Sequence, residues 1–424
     1  MKKRSLATIL ALVTTLVFIV TMFTACGSGE KAEQAAPAAL DYTDWDAVVK
    51  AAEGTTVTYY GWGGDANLIA WFDEVVAPKL LEKYNITFKH VDVAATSDIV
   101  SQVSAEKQAG KKAGEGVMDL IWIDGENFAS CKDAGLLWGS FTDYLPNFEA
   151  YVDMDNKGTF YDSGTPIEGY ETPWDLAYYV MIHDTATTSW APATADEFLQ
   201  WVKEYPGKVT YPGLPNSNGS WFVRNIIYEV CGGDVFDNLE PDYDTVKTAI
   251  EPALEYLREL NPYLWKEGKT YPADLTAVNS MFANGELAMT MDWYPYSVGK
   301  YIANGSFPET SQDFVFKNGT ISSNGYLTVS YNCPNIAGAL VAANEMLTPE
   351  LQAARLDYAG YLSVMDFDKL SAEEIALFEQ VDLGKGGLPQ DEVAAGFKYP
   401  NMPYNLVEIM EKIWLDEVAG QYNQ

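Results

Sequence analysis

The stretch "VTYYGWGGDANL", residues Val57 to Leu68, shows how the fold begins. An apolar run typical of a β-strand ends at Gly63 and Gly64, and Asp65 then stands where the N-cap of a helix is expected. Turns of this kind hold phosphate groups in many proteins, because backbone N–H groups and a helix N-terminus favour anions. The order of strand, glycine turn and helix therefore predicts an α/β fold with a ligand-facing turn at this point.

The details of this turn argue against a nucleotide site. No Lys follows the glycines, as a P-loop requires, and only "GWGG" stands where a dinucleotide fingerprint needs G-x-G-x-x-G. Asp65 would also repel a phosphate, and helix capping is its simplest role. Trp62 is predicted to lie in the turn after the strand, where a tryptophan belongs to the core less often than inside a strand. It is therefore a candidate for ligand contact.

The next segments repeat the alternation of strand and helix. The runs "ITFKHVDV" (86–93) and "MDLIWIDG" (118–125) predict strands, and helices are predicted at 66–84 and 97–114. This order predicts a parallel, doubly wound sheet, whose ligands sit beyond the carboxyl ends of the strands. The candidate residues in turns at that edge are Trp62, Gly63, Asp65, Glu126 and Asn127.

The N-terminal region predicts export and lipid attachment. Residues 1–25 have a basic start, an apolar stretch and small residues at the end, which is the pattern of a signal peptide. The "FTAC" ending resembles a lipobox with Cys26 as the lipidated residue, although Phe23 replaces the usual Leu. Residues 26–54 are predicted to be a flexible tether. We expect a protein anchored by lipid on the extracytoplasmic face of the cell membrane; the alternative is an uncleaved signal anchor.

The composition restricts the partners. The 424 residues carry 27 basic and 60 acidic side chains, a net charge of −33, which disfavours nucleic acid and anionic lipid as partners. This surface charge does not by itself identify a cationic ligand. The length suits two lobes rather than one core.

Cysteine and histidine usage gives little support for catalysis. Once Cys26 is lipidated, Cys131, Cys231 and Cys333 remain, an odd number with no C-x-x-C motif and no Cys/His spacing for zinc. The chain has only two histidines, far apart in sequence, so the sequence gives little indication of a catalytic nucleophile–histidine pair. We expect no metal, no cofactor and no catalysis.

Several separated segments resemble a known family. The lipobox, the two α/β lobes and the F-x-x-G-E motif in "MFANGELAMTMDW" (281–293) resemble the extracellular solute-binding proteins of ABC importers. The segments "DLIWIDGENFAS" (119–130) and "YPGKVTYPGLPNSNGSWFVRNIIYEV" (205–230) resemble the YnjB-type binding proteins, as does "FKNGTISSNGYLTVSYN" within 316–354. The likeness covers roughly residues 56–378 and runs in one order.

This resemblance implies a fold and partners. The fold implied is α/β, a two-lobe periplasmic-binding-protein-like fold (type 2), with a cleft between discontinuous lobes joined by hinge strands. The implied partners are a small solute and the permease and ATPase subunits of an ABC importer, and the binding protein is expected to act as a monomer. The predicted boundaries are 55–176 and 312–345 for lobe I, and 177–311 and 346–424 for lobe II.

The turns available to line the cleft are rich in aromatic and acidic side chains. The predicted ligand-binding residues are Trp62, Gly63, Asp65, Glu126, Asn127, Trp174, Asp175, Trp221, Trp293, Tyr294 and Tyr296, with Asp292 among the cleft acids. Aromatic faces and carboxylates suit an organic cation, such as a thiamine-like ring or a polyamine. We expect Trp62 and Trp293 to face one another across the cleft.

Two alternatives stay open at this point. A sugar also stacks on tryptophan, with carboxylates accepting its hydroxyl hydrogen bonds. An enzyme of the same fold is the second alternative: the carboxylates of Glu126 and Asp175 suggest glycoside hydrolysis. A thiamine-degrading enzyme would instead need a cleft nucleophile such as Cys131, Cys231 or Cys333.

Overall fold

The structure, a computed structural model, describes residues 40–123, 125–396 and 398–419. Two sheets are built from the strands β1 (Thr56–Trp62), β2 (Thr87–Val93), β3 (Leu120–Ile123), β6 (Glu171–Tyr178), β7 (Val180–Asp184), β8 (Met289–Asp292), β9 (Ser311–Phe314), β10 (Thr320–Val329) and β11 (Lys398–Tyr399), while β4 (Tyr161–Asp162) and β5 (Thr165–Pro166) form a hairpin.

The helices surround the two sheets. In chain order they are α1 (Trp45–Ala52), α2 (Ala66–Trp71), α3 (Ala77–Tyr84), α4 (Thr96–Gln108), α5 (Gly125–Asp133), α6 (Pro146–Tyr151), α7 (Ala195–Glu204), α8 (Ser217–Cys231), α9 (Tyr243–Leu260), α10 (Leu275–Ala283), α11 (Ser297–Ala303), α12 (Ile336–Met346), α13 (Pro349–Ala359), α14 (Ala372–Glu379), α15 (Gln390–Ala395) and α16 (Tyr404–Trp414).

The opening stretch folds as its sequence predicts. Strand β1 alternates buried and less buried side chains, and the Asp65 carboxylate caps α2 by accepting the backbone N–H groups of Asn67 and Leu68. The predicted single helix at 66–84 is interrupted by one π-helical turn, Phe72–Val76. That turn stands just before Pro78, whose ring cannot follow a regular helical turn without a clash.

The larger sheet contains the predicted parallel strands. Its order is β11-β10-β3-β1-β2, with β6 paired to β10 as well. Strand β1 runs parallel to β2 and β3, while β10 is antiparallel to β3 and β6. The parallel part confirms the strand–helix alternation predicted for the first half of the chain. Apolar runs at 170–184 and 313–332 also predict strands, and the structure confirms them. Their antiparallel pairing joins segments that lie far apart in the sequence, so local patterns did not reveal which strands pair.

The smaller sheet is antiparallel, in the order β8-β7-β9. Strand β6 of the larger sheet passes almost directly into β7 of the smaller one, with only Tyr179 between them. The chain returns from β9 to β10 through residues 315–319. We call the part of the chain around the larger sheet the first lobe and the part around the smaller sheet the second lobe; these short connections lead from one to the other. The residue boundaries of the lobes stay a prediction.

The predicted tether at 26–54 contains an ordered helix, which is a correction. Helix α1 begins after Asp44, whose carboxylate accepts the Ala47 N–H, and it packs against α12. Val48 and Ala52 are fully buried in that contact. The segment looked polar and small overall, but its last turns place apolar residues on one face, and a distant helix covers them.

Candidate functional site

The turn after β1 brings Trp62 to the edge of the larger sheet. The Trp62 side chain is 38% exposed, and its indole lies over Gly64, where an added Cβ would stand 1.9 Å from the ring carbon Cζ2. At Gly63 an added Cβ would stand 2.4 Å from the Asp92 Cβ. Both glycines are therefore needed for packing within the chain. A ligand contact at Gly63 stays a prediction.

Strand β8 ends at a buried carboxylate. Asp292 is 6% exposed, and its Oδ1 accepts the backbone N–H groups of Trp293 at 2.7 Å and Tyr294 at 3.1 Å. The Tyr301 hydroxyl donates to Oδ2 at 3.1 Å. These bonds fix the position of the carboxylate at the strand end and supply no positive charge.

The carboxylates of Asp65 and Asp292 come from different lobes and lie close enough to repel one another. Burial, with a contribution from Asp65, raises the pKa of Asp292 to about 6. The pKa of Asp65 is also raised, because burial outweighs the hydrogen bonds from Asn67, Tyr361 and Leu68. Among the described residues, no lysine or arginine forms an ion pair with either carboxylate. Two buried acids, one near the end of β1 and one at the end of β8, thus lie near one another.

Two stacked tyrosines lie beside these carboxylates. The rings of Tyr294 and Tyr361 are 3.5 Å apart between centroids and inclined by 12°. Burial raises the pKa of both hydroxyls, so both are neutral and able to donate. The preceding Gly360 has a φ of +76°, and an added Cβ would stand 2.8 Å from the backbone carbonyl carbon of Tyr296. Only glycine fits that approach.

Trp174 does not line the cleft, which corrects the prediction. Its side chain is 0% exposed and packs on Phe72, with ring centroids 5.9 Å apart, and on Trp122 at 5.5 Å. The Arg355 guanidinium lies 5.0 Å from its ring centroid. Strand β6 is covered on both faces, so a tryptophan in it belongs to the core of the first lobe.

Asp175 belongs to a buried polar network rather than to an open turn. Its side chain is 1% exposed, and its Oδ1 accepts the Gly325 N–H at 3.0 Å. The buried Arg355 interacts electrostatically with Asp175 and donates to the Trp174 carbonyl and, at 2.9 Å, to Gln352 Oε1. This carboxylate therefore has a cation inside the protein, unlike Asp292.

Trp293 and Trp221 form a stack within the second lobe. Their ring centroids are 5.0 Å apart and the planes are inclined by 24°. Trp221 is buried and covers one face of the half-buried Trp293. Among the described aromatic residues, Trp62 is not stacked directly on Trp293. A ligand between Trp62 and Trp293 stays a prediction.

The other predicted residues are spread more widely. The Asn127 amide donates to the Thr96 hydroxyl at 3.0 Å, which ties α5 to α4. The side chain of Glu126 lies outside the described part of the chain. Tyr296 is 2% exposed and packs in the core of the second lobe, which corrects its placement as an open cleft residue. It also borders a cavity of about 520 Å³ together with residues of the 383–390 segment.

Sequence patterns did not reveal the contacts of residues 401–404 with Arg224 and Ser163. The Asn401 side chain accepts a hydrogen bond from Arg224 of α8 at 3.2 Å and donates to the Ser163 hydroxyl at 3.0 Å. The Tyr404 N–H donates to the Ser163 carbonyl at 2.9 Å. Asn401 lies between two prolines, in "YPNMP", and these prolines, which interrupt regular secondary structure, were the available signal.

The described residues give limited means for covalent or metal chemistry. The cysteines Cys131, Cys231 and Cys333 are free. Burial raises the pKa of all three thiols, that of Cys131 to about 12. Within the described ranges, no group of three or more His, Cys, Asp or Glu side chains is arranged to hold a metal ion. Cys26 lies outside them.

Comparison with known proteins identifies the family. The sequence model of the bacterial extracellular solute-binding proteins matches residues 76–371. Protein YnjB of Escherichia coli is 33% identical over 330 residues, which are 77% of this chain and 84% of that protein. The resemblance to YnjB-type proteins is thereby confirmed.

Solved structures show the same fold. The TpPotD lipoprotein of Treponema pallidum aligns with a TM-score of 0.60 at 13% identity, over 86% of this chain and 99% of its own. The spermidine/putrescine substrate-binding protein PotD of Streptococcus pneumoniae aligns with a TM-score of 0.57 at 13% identity, over 85% and 99%. The predicted two-lobe, type 2 periplasmic-binding-protein-like fold is confirmed. The chain belongs to the bacterial extracellular solute-binding proteins of ABC importers, of the YnjB type.

Proposed function

We propose that this chain binds a small organic cation between its lobes and delivers it to the permease and ATPase subunits of an ABC importer. The observation that carries the proposal is the pair of carboxylates of Asp65 and Asp292, one from each lobe, with no cationic side chain paired to them in the described part of the chain. A cation between them relieves their repulsion and favours the ionised state of both.

The aromatic side chains around this pair suit the same ligand class. The stacked rings of Tyr361 and Tyr294 lie near the carboxylates, and the half-buried Trp293 follows Asp292 in sequence. Ring faces attract cations through their quadrupole. The fold neighbour from Streptococcus pneumoniae is named a spermidine/putrescine binding protein, which is consistent with a polyamine. A thiamine-like ring remains the other candidate cation.

A closing motion explains how the pair would act. Two like charges brought together by lobe closure oppose that closure, and a cation bound between them removes the opposition. The permease then binds the closed, ligand-bound form. The same charges give a neutral sugar no comparable reason to favour closure, although a sugar would stack on Trp62 and Trp293.

The experiment compares cations with neutral ligands on the intact chain. We expect spermidine, putrescine or thiamine to raise the unfolding temperature and to give binding heat by calorimetry, and glucose and maltose to do neither. A ligand at 100 times its Kd adds about 2.7 kcal/mol to the unfolding free energy.

Charge-removing variants test the site itself. Asp65→Asn keeps a helix cap but removes the charge, and Asp292→Asn keeps the shape of the side chain; each should weaken cation binding by at least about tenfold. Asp274→Asn is the matched control, because Asp274 caps α10 in the same manner. Tight sugar binding that both site variants leave unchanged would show that the cation proposal is wrong.

We further propose that the ligand leaves unaltered. The raised thiol pKa values of Cys131, Cys231 and Cys333 disfavour a thiolate nucleophile, and that supports transport rather than a thiamine-degrading reaction. Mass spectrometry of ligand recovered after long incubation is the measurement. A converted product that disappears in Glu126→Gln or Cys131→Ala would place the protein among the enzymes.

The proposal includes attachment to the membrane through lipid on Cys26. The lipobox-like "FTAC" sequence supports it, and the fold neighbour from Treponema pallidum is called a lipoprotein. Labelled palmitate should enter the wild-type chain and not Cys26→Ala. Equal labelling of both proteins would contradict the anchor.

A further inference from the structure

The hydrogen bonds of the Asp292 carboxylate leave one bonding position open. Its Oδ1 accepts the backbone N–H groups of Trp293 and Tyr294, and its Oδ2 accepts the Tyr301 hydroxyl at 3.1 Å. Each carboxylate oxygen has two lone-pair positions. Oδ1 is therefore fully used, whereas Oδ2 has one position left. A proton and an external cation would both have to take that same position.

Tyr301 is held firmly where it donates this bond. Its ring packs on Phe307, with centroids 4.7 Å apart. Its backbone carbonyl accepts the N–H groups of Ser306 at 2.8 Å and Phe307 at 3.0 Å, in the turn that follows α11. The direction of the hydroxyl toward Oδ2 is thus set by packing on both sides of the residue, and not by the carboxylate alone.

The Tyr301 hydroxyl favours the ionised form of Asp292. The negative charge of Asp292, together with burial, raises the pKa of Tyr301, so the hydroxyl keeps its proton wherever the carboxylate titrates. Burial raises the pKa of Asp292 to about 6, and the Tyr301 bond is one of the contacts that oppose this rise. A donor to a carboxylate stabilises its charged form. Without the hydroxyl, Asp292 would keep its proton to a higher pH.

The other titratable groups near Asp292 do not take over this task. Asp65, at the start of α2, favours the neutral form of Asp292 through its own negative charge. Burial raises the pKa of Asp313 on β9 well above its usual range. Burial also raises the pKa of the Tyr179 and Tyr294 hydroxyls, which stay neutral. Among the described residues, no lysine or arginine forms an ion pair with Asp292. Hydrogen bonds alone therefore oppose its protonation.

We propose that Tyr301 is a positioning residue of the cation site, which keeps one lone pair of Asp292 Oδ2 open and sets the pH at which a cation displaces the proton there. This inference rests on the proposed function, because it assumes that the solute is a cation bound by Asp292. Proton and solute then compete for one atom, and Tyr301 shifts that competition toward the solute.

The test is calorimetry on the intact chain with putrescine and with thiamine, from about pH 5 to about pH 8.5. Tyr301→Phe keeps the ring and its packing on Phe307 and removes only the hydroxyl. The pH at which affinity is half lost should move up by about one unit. Compared with the wild-type chain, the variant should bind about five- to tenfold more weakly between pH 5 and 6, and within about twofold at pH 8.

Two further variants show whether the effect passes through Asp292. Tyr243→Phe is the matched control, because the Tyr243 hydroxyl donates to the Asp416 carboxylate at 3.0 Å in another part of the chain. This control should keep the wild-type profile. In a chain that already carries Asp292→Asn, adding Tyr301→Phe should cause no further loss of affinity, since the group on which the hydroxyl acts is gone.

The outcomes separate the two proposals. A Tyr301→Phe profile like that of the wild-type chain, or a loss of equal size at every pH, would show that the positioning role is wrong while the cation site stands. A further loss in the double variant would do the same. If neither cation binds the wild-type chain, the proposed function fails and this inference fails with it. Thermal unfolding of each variant confirms that it is folded before binding is compared.

Discussion

The dipeptides Trp174-Asp175 and Asp292-Trp293 contain the same two side chains but lie in different surroundings. Trp174 and Asp175 are both buried in the first lobe, next to the guanidinium of Arg355. Asp292 is buried at the end of β8, while Trp293 is half-buried and stacked on Trp221. The protein supplies a cation to the first pair, whereas no lysine or arginine among the described residues forms an ion pair with the second.

The two aspartates differ in the charge of their neighbours. Asp175 has an internal positive partner, so its charge contributes to the fold. Asp292 is next to another acid, Asp65, and both pKa values are raised. The first arrangement is complete without a ligand, whereas the second becomes favourable when an external cation arrives.

Removal of Arg355 should destabilise the fold most. The residue is fully buried and donates to the Trp174 carbonyl and to Gln352, so Arg355→Met leaves Asp175 as an uncompensated buried charge. We expect the unfolding free energy to fall by about 3–5 kcal/mol in denaturant titration. Arg258→Met is the control, since its ion pairs lie near the surface and should be worth less than about 1 kcal/mol. A loss no larger than that of the control would contradict the contrast.

The two tryptophans should respond differently to truncation. Trp174→Ala removes a fully buried indole and should cost about 3–5 kcal/mol of unfolding free energy. Trp293 is only half-buried, so Trp293→Ala should lower the unfolding free energy by less than half as much as Trp174→Ala. It should, however, weaken cation binding. Denaturant titration and calorimetry on both variants measure the two effects. Equal stability losses with unchanged binding would mean that Trp293 is also a core residue.

The pH dependence should come from the cleft pair. Because the pKa of Asp292 is raised to about 6 from its ordinary 3.8, the folded chain without ligand holds a proton that the unfolded chain has lost. The contribution of Asp292 to stability therefore falls as pH rises from about 4 to 6. Cation affinity should change the opposite way, decreasing by up to tenfold per pH unit below about 6. Asp292→Asn should flatten both profiles, and an unchanged profile would contradict the assignment.

Local sequence patterns predicted some of these features and not others. The β1 turn and the Asp65 cap depend on neighbours within a few residues, so the sequence is sufficient to place them. The position of Trp174 depends on the pairing of β6 with β10, which lies some 150 positions later in the register. Tyr361 and Arg355 stand in segments without a motif, and only the packing of α13 brings Arg355 to Asp175 and Tyr361 to Asp65. Contacts between residues so far apart in the sequence produce no periodic pattern in it.

The smallest expected effect is that of Trp62. Its side chain is 38% exposed and packs mainly over Gly64, so Trp62→Ala should change the unfolding free energy by less than about 1 kcal/mol. If its free ring face stacks on the ligand opposite Trp293, cation affinity should fall about fivefold, or roughly 1 kcal/mol. Trp62→Phe should restore part of this loss, because it keeps an aromatic face. Titration of the three variants Trp62→Ala, Trp62→Phe and Trp293→Ala with the same amine tests this prediction. If Trp62→Ala keeps the wild-type affinity while Trp293→Ala binds more weakly, only Trp293 contacts the ligand.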